Sequence, residues 1–217
     1  MQRAISLLGV LGMLAGCSEG SPGAMGQVGF STDCAPTDQA CLSAGLHAPI
    51  ARGATLRVDV ALTYAGTAAL GFELQPVDPK ILKTAGNTLT GVEQGIVALL
   101  VVAPGERLVD FIHVSVQAPS RIGFHLLGPQ GGDMGQLEDR VELLAGDRVV
   151  LDVRPYDQDR LLLGEVDASW SASDDGVTLL DPGLGSRREI LARKPGKTRI
   201  TVTSAGHTAH IDLVVLP

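Results

Sequence analysis

The chain has 217 residues, a formal net charge of −7, 45% hydrophobic residues and only 3% aromatic ones. An acidic chain with no basic patch excludes nucleic acid as a partner, and charge does not draw it to an anionic membrane surface. With so few rings the core has to be built from Val, Leu, Ile and Ala, and little remains for stacking on sugars.

At the amino terminus, Arg3 precedes an uncharged, mostly apolar run from Ile5 to Leu14. Such a run is about half the ~20 residues that span a bilayer as a helix, and it has the size of a signal-peptide core. Leu14-Ala15-Gly16-Cys17 follows and resembles the bacterial lipobox. The resemblance implies a lipoprotein signal peptide over residues 1–16 and lipid attachment at Cys17, which holds the chain to a membrane. Ser18, a non-acidic residue after the cysteine, implies by the same resemblance the outer membrane of a Gram-negative envelope. Residues 17–33 are rich in Gly and Ser and read as a flexible linker.

Cys34 and Cys41 are the remaining cysteines. In an oxidising compartment an even remainder reads as a disulfide. Service as a metal pair requires two further ligands, and none sits nearby.

Strand periodicity dominates the rest. Leu56, Val58, Val60 and Leu62 alternate with Arg57, Asp59 and Ala61, and Ile112, Val114 and Val116 alternate with His113, Ser115 and Gln117. The same two-residue period sets Val149, Leu151 and Val153 against Asp152 and Arg154, and it returns around Ile200 and from Ala209 to Val215. Turn signals between these runs give the spacing of a β-sandwich. The pattern also repeats. Ala51-Arg52-Gly53 leading into Leu56–Val60 matches Leu144-Ala145-Gly146 leading into Val149–Val153, and Gly95 to Val116 matches Gly196 to Val215. Two tandem units follow, over 34–118 and 119–217. Pro119 and the Gly-rich segment from Gly128 to Gly135 are expected between them.

The second unit carries Leu144-Ala145-Gly146 before an early strand, Ser169-Trp170-Ser171-Ala172-Ser173 in its middle, and Lys194-Pro195-Gly196-Lys197-Thr198 before its final hairpin. These segments resemble the group 2 bacterial immunoglobulin-like domains of intimin- and invasin-type adhesins. The resemblance implies an all-β chain of two immunoglobulin-like sandwiches, with Trp170 as a core residue between sheets. The first unit has no tryptophan, so Phe72 or Leu74 is expected in that space. Membership of this kind implies fold more firmly than function.

No catalytic set emerges. His207 and His210 are three apart, which on a strand places them on opposite faces, and the five histidines read as solvated. Ser173 lacks a nucleophile elbow. Asp157 with Asp159, and Asp174 with Asp175, are potential Ca²⁺ ligands, but neither pair has the spacing of a calcium loop and turn capping is the better reading. Gly128-Pro129-Gln130-Gly131-Gly132 has no Lys and no following helix, so it is no phosphate loop. No enzyme, cofactor or metal is expected. The expected role is a lipid-anchored envelope protein presenting immunoglobulin-like modules for adhesion, scaffolding or protein contact. The alternatives are an accessory subunit of a larger envelope complex and a glycan-binding module.

Overall fold

The computed structural model describes residues 27–32, 45–64, 67–68, 71–105, 107–180 and 185–217. Among them one 3-10 turn (Gly45–His47) accompanies nineteen strands. The first half contributes β1 (Gln27–Thr32), β2 (Ile50–Ala51), β3 (Thr55–Tyr64), β4 (Thr67–Ala68), β5 (Glu73–Pro76), β6 (Leu82–Ala85), β7 (Thr88–Gly91), β8 (Gly95–Ala103) and β9 (Arg107–Gln117). The second half contributes β10 (Arg121–Leu127), β11 (Asp133–Gln136), β12 (Arg140–Leu144), β13 (Arg148–Asp157), β14 (Arg160–Leu161), β15 (Ala168–Ala172), β16 (Val177–Leu179), β17 (Arg187–Ala192), β18 (Gly196–Ser204) and β19 (His207–Leu216).

Each half makes two sheets around one core. In the first, β1-β3-β7-β6 faces β2-β9-β8-β5; in the second, β10-β13-β17-β16 faces β12-β19-β18-β15, with β11 added beside β10. Pairing is antiparallel except where β2 meets β9 and β12 meets β19. Setting the short β4, β11 and β14 aside, strand order is identical in the two halves. With β2 and β12 counted as the part of the first strand that crosses to the opposite sheet, it is the order of an immunoglobulin sandwich: first, second, fifth and fourth strands in one sheet, and third, sixth and seventh in the other. The repeat extends to single hydrogen bonds. Gly53 N donates to Gly91 O (2.8 Å) and Gly146 N to Ala192 O (2.9 Å); Arg52 N donates to Gln117 O (2.8 Å) and Ala145 N to Leu216 O (2.9 Å).

Two expectations need correction. Gln27–Thr32, read as part of the linker, forms β1: Val28 and Phe30 pack on the first core while Gly29 and Ser31 face away, an alternation too short to stand out among glycines. The Gly-rich segment lies inside the second module, where Gly128–Gly132 closes the turn from β10 to β11.

The joint between the modules is made elsewhere. Buried Leu162, Leu163 and Val166 follow β14 of the second module yet belong to the core of the first. Leu163 N donates to Pro49 O (2.9 Å) and Ala51 N to Leu163 O (2.9 Å). Two residues on, Thr55 N donates to Glu165 O (2.9 Å) and Glu165 N to Thr55 O (2.8 Å). Between these pairs Gly164 takes φ +98°, and a Cβ there meets the Ala54 Cβ at 2.9 Å and the Thr55 carbonyl at 3.0 Å. Only glycine suits both the backbone and the space. His207 Nε2 adds a donation to the carbonyl of buried Pro119 (2.9 Å).

Candidate functional site

Cys17, Cys34 and Cys41 lie outside the described residues. Trp170 stands on β15, half-buried against the second core, with its ring edge-on to Phe124 at 6.0 Å and its Nε1 donating to Gly185 O (2.9 Å). Its counterpart in the first module follows from pairing: Trp170 opposes Val202 and Leu74 opposes Val101, the same position of the repeat. Leu74 is buried there. Phe72 is peripheral; half-buried, it packs at the margin of the core and lines a cleft of about 470 Å³ with Gly71, Gln75, Val102 and Pro104.

The acidic pairs serve their own turns. Asp174 Oδ1 accepts from Thr198 Oγ1 (2.6 Å) and Gly176 N (2.8 Å), and Oδ2 accepts from Ser173 Oγ (2.8 Å). Thr198 foremost, then Gly176 and Ser173, hold this carboxyl below the usual range. Asp175 pairs with Lys194, whose hydrogen bond lowers it likewise. Asp157 meets Arg160 (3.3 Å) and Asp159 meets Arg121 (3.6 Å). Among the described residues no three His, Cys, Asp or Glu side chains converge on a point where a metal ion would sit.

One buried cluster escapes a reading of the sequence. On the face of β10-β13-β17 away from the core, His125 is buried rather than solvated. Its Nδ1 meets both Asp133 oxygens at 3.1 Å, and its Nε2 meets the Tyr156 hydroxyl at 2.5 Å. A carboxylate only accepts, so Nδ1 carries a proton; in the neutral ring Nε2 then accepts the hydroxyl. Arg154 joins Asp133 (2.5 Å) to Asp152 (2.9 Å), and the Arg121 guanidinium covers the Tyr156 ring at 4.1 Å. Burial by itself raises the Asp133 carboxyl; the Gly135 amide, His125 and Arg154 outweigh it and hold the group below its ordinary value. An acid, an imidazole and a hydroxyl in series suggest proton relay, but here the hydroxyl is a buried phenol under a guanidinium. The chain of contacts pins β11 onto the sheet and presents no reactive group to a substrate.

The outer surface of β5-β8-β9 also differs from its counterpart in the second module. The repeat supplies an internal reference. In the second module the outward residues of β18 are Lys197, Arg199, Thr201 and Thr203, and those of β19 include His210 and Asp212. Arg199 (2.8 and 3.3 Å) and Lys197 (2.7 Å) bracket Asp212 and hold its carboxyl far below the usual range. At the matching outward positions β8 carries Ile96, Ala98, Leu100 and Val102, and β9 carries Phe111 and His113. Ile96 is 70% exposed, Leu108 49% and Phe111 45%, with Val77 beside them at 63%. β8 is apolar on both faces, whereas β18 is apolar only on its inner one.

No protein-family model matches this chain, and no curated protein matches it in sequence. Among solved structures it is similar to domains 4 and 5 of the S-layer protein SbsC, at 17% identity over 72% of this chain and 86% of that one, with a TM-score of 0.34. It is similar to the Escherichia coli adhesin FdeC at 13% identity over 91% of this chain and 65% of that one, with a TM-score of 0.33. It is also similar to the Yersinia pseudotuberculosis adhesin InvE at 11% identity, over 88% and 59% of the two chains, with a TM-score of 0.34. At these scores the immunoglobulin-like assignment rests on strand order and pairing within the chain itself.

Proposed function

We propose that this chain is a lipid-anchored envelope protein whose two immunoglobulin-like modules form one stiff, non-catalytic stalk for adhesion, scaffolding or protein contact. The observation that carries the reading is the joint at Leu162–Val166, where four backbone hydrogen bonds and three apolar side chains tie the second module into the first. A spacer transmits position only if it does not fold at its joint. Cys17 attaches the acyl chains, and residues 18–26 lead to β1. One acyl chain alone holds only marginally, while two or more anchor stably. A glycan-binding role has less support: Tyr156 is buried and Trp170 is half-buried with its Nε1 already engaged. An accessory subunit of a larger envelope complex is the second reading, favoured by the apolar outer face of β8 and β9, which is uncovered among the described residues.

The test is intact mass and membrane partition of the full-length protein beside Cys17→Ser, with protease added to whole cells. The expected result is diacylglycerol-modified protein in the membrane fraction and soluble, unmodified Cys17→Ser. A soluble, unmodified wild type contradicts the anchor. Loss of the modules to external protease supports a surface role; protection by the envelope favours the accessory subunit.

A further inference from the structure

Among the described residues, nothing covers the outer face of β5-β8-β9. Pairing aligns its outward residues in rows: Val102 with Leu108, Leu100 with Phe111, Ala98 with His113, and Ile96 with Ser115. Contiguous exposed apolar surface of this kind marks an interaction site. From Ile96 to Val102, from Leu108 to Gln117 and across β5 there is no Lys or Arg. The face therefore lacks the basic residues that hold a protein on an anionic lipid surface.

We infer that this face pairs with the same face of a second copy of the chain. Its residues are self-complementary. A two-fold axis passing between the Leu100–Phe111 row and the Ala98–His113 row sets the bulky row of one copy on the small-centred row of the other. The same axis places Val102 and Leu108 over Ile96 and Ser115. Sheets stacked this way lie ~10 Å apart, the distance at which such side chains interdigitate. Charge does not oppose the approach: although the chain carries −7 overall, its only charged side chain on β5 and β8 is Glu73, at the margin of the face. On β9, Arg107 lies at the extreme end, and Asp110 is buried, accepting from the Val28 and Phe111 amides. The matching face of the second module, with Lys197, Arg199 and Asp212 in its centre, cannot stack on itself without burying those charges.

Size sets the strength. Seven residues along β8 and three strands across give a face of about 23 by 14 Å. Two such faces bury about 640 Å² in total, roughly half the lower bound of a stable interface, so the contact is weak and transient. Pairing is then expected at high local concentration, such as confinement to a surface provides. The pairing itself does not depend on lipid attachment.

The experiment places the photo-crosslinker p-benzoylphenylalanine at Phe111, and separately at its counterpart His210, in the full-length protein. Each is irradiated in intact cells and as purified protein at high concentration. The expected product is a homodimer from position 111 in both settings and none from position 210. Ala98→Arg with Leu100→Thr, which installs the second module's residues on the first, should lower dimer yield at least tenfold. These positions are on the outer surface, so an unchanged unfolding midpoint separates lost pairing from lost folding. No homodimer in either setting, a homodimer that survives the double substitution, or capture of a different protein in place of a second copy would each overturn the proposal.

Discussion

Leu74 and Trp170 occupy one position of the repeat with very different side chains. Leu74 is buried, while the larger ring of Trp170 reaches the edge of its sandwich and turns its Nε1 to Gly185 O. Leu74→Ala is expected to cost ~2–5 kcal/mol by lost burial plus the cavity left behind. For Trp170→Ala, chemical denaturation should give a loss of similar size; a loss under about 1 kcal/mol would remove Trp170 from the core. Asp133 carries a prediction in pH. Its folded carboxyl binds a proton less readily than the unfolded one, so it adds stability above its ordinary value of 3.8 and loses that share as the pH falls through the lower folded value. Asp133→Asn should lower stability at neutral pH by about 2 kcal/mol, less than a lone buried pair because Arg154 keeps Asp152. The same variant should flatten the acid limb of the stability profile, and an unchanged limb would assign acid sensitivity to other carboxylates.

Among the elements, those that alternate cleanly were legible in the sequence. The strands around Val58, Leu151 and Ile211 have one apolar and one polar face, and β9 does so from Ile112 to Gln117, so their period names both element and core side. β8 was legible as a strand but not by face, since Ile96–Val102 is apolar throughout; only its pairing tells Val97, Leu99 and Val101 from their outward neighbours. The His125 cluster was not legible because its partners come from separate strands, Asp133 eight residues away and Tyr156 thirty-one. The joint was hidden for another reason: Leu162-Leu163 looks like any short apolar segment, and nothing local says which module it enters. Gly164 is its most sensitive point. Gly164→Val forces a β-branched side chain to positive φ and against the Thr55 carbonyl, at an expected cost of ~2 kcal/mol or more. Hydrogen exchange should show the Ala51 and Thr55 amides losing protection, because their acceptors are Leu163 O and Glu165 O. Retained protection at both would mean that the joint absorbs the substitution.

Across the whole molecule, the account depends on two sandwiches behaving as one body. Independent modules joined at Pro119 alone would swing; a second module that buries Leu162, Leu163 and Val166 in the core of the first resists it, because opening the joint exposes that surface and breaks four backbone bonds. Shared burial also couples their unfolding, since the first core is incomplete without the segment that the second module's chain supplies. Scanning calorimetry of the full-length protein beside Gly164→Val is the most direct test. The account predicts one cooperative transition for the wild type and two separated transitions for the variant. Two independent transitions in the wild type would contradict the stiff stalk and leave two modules on a flexible string.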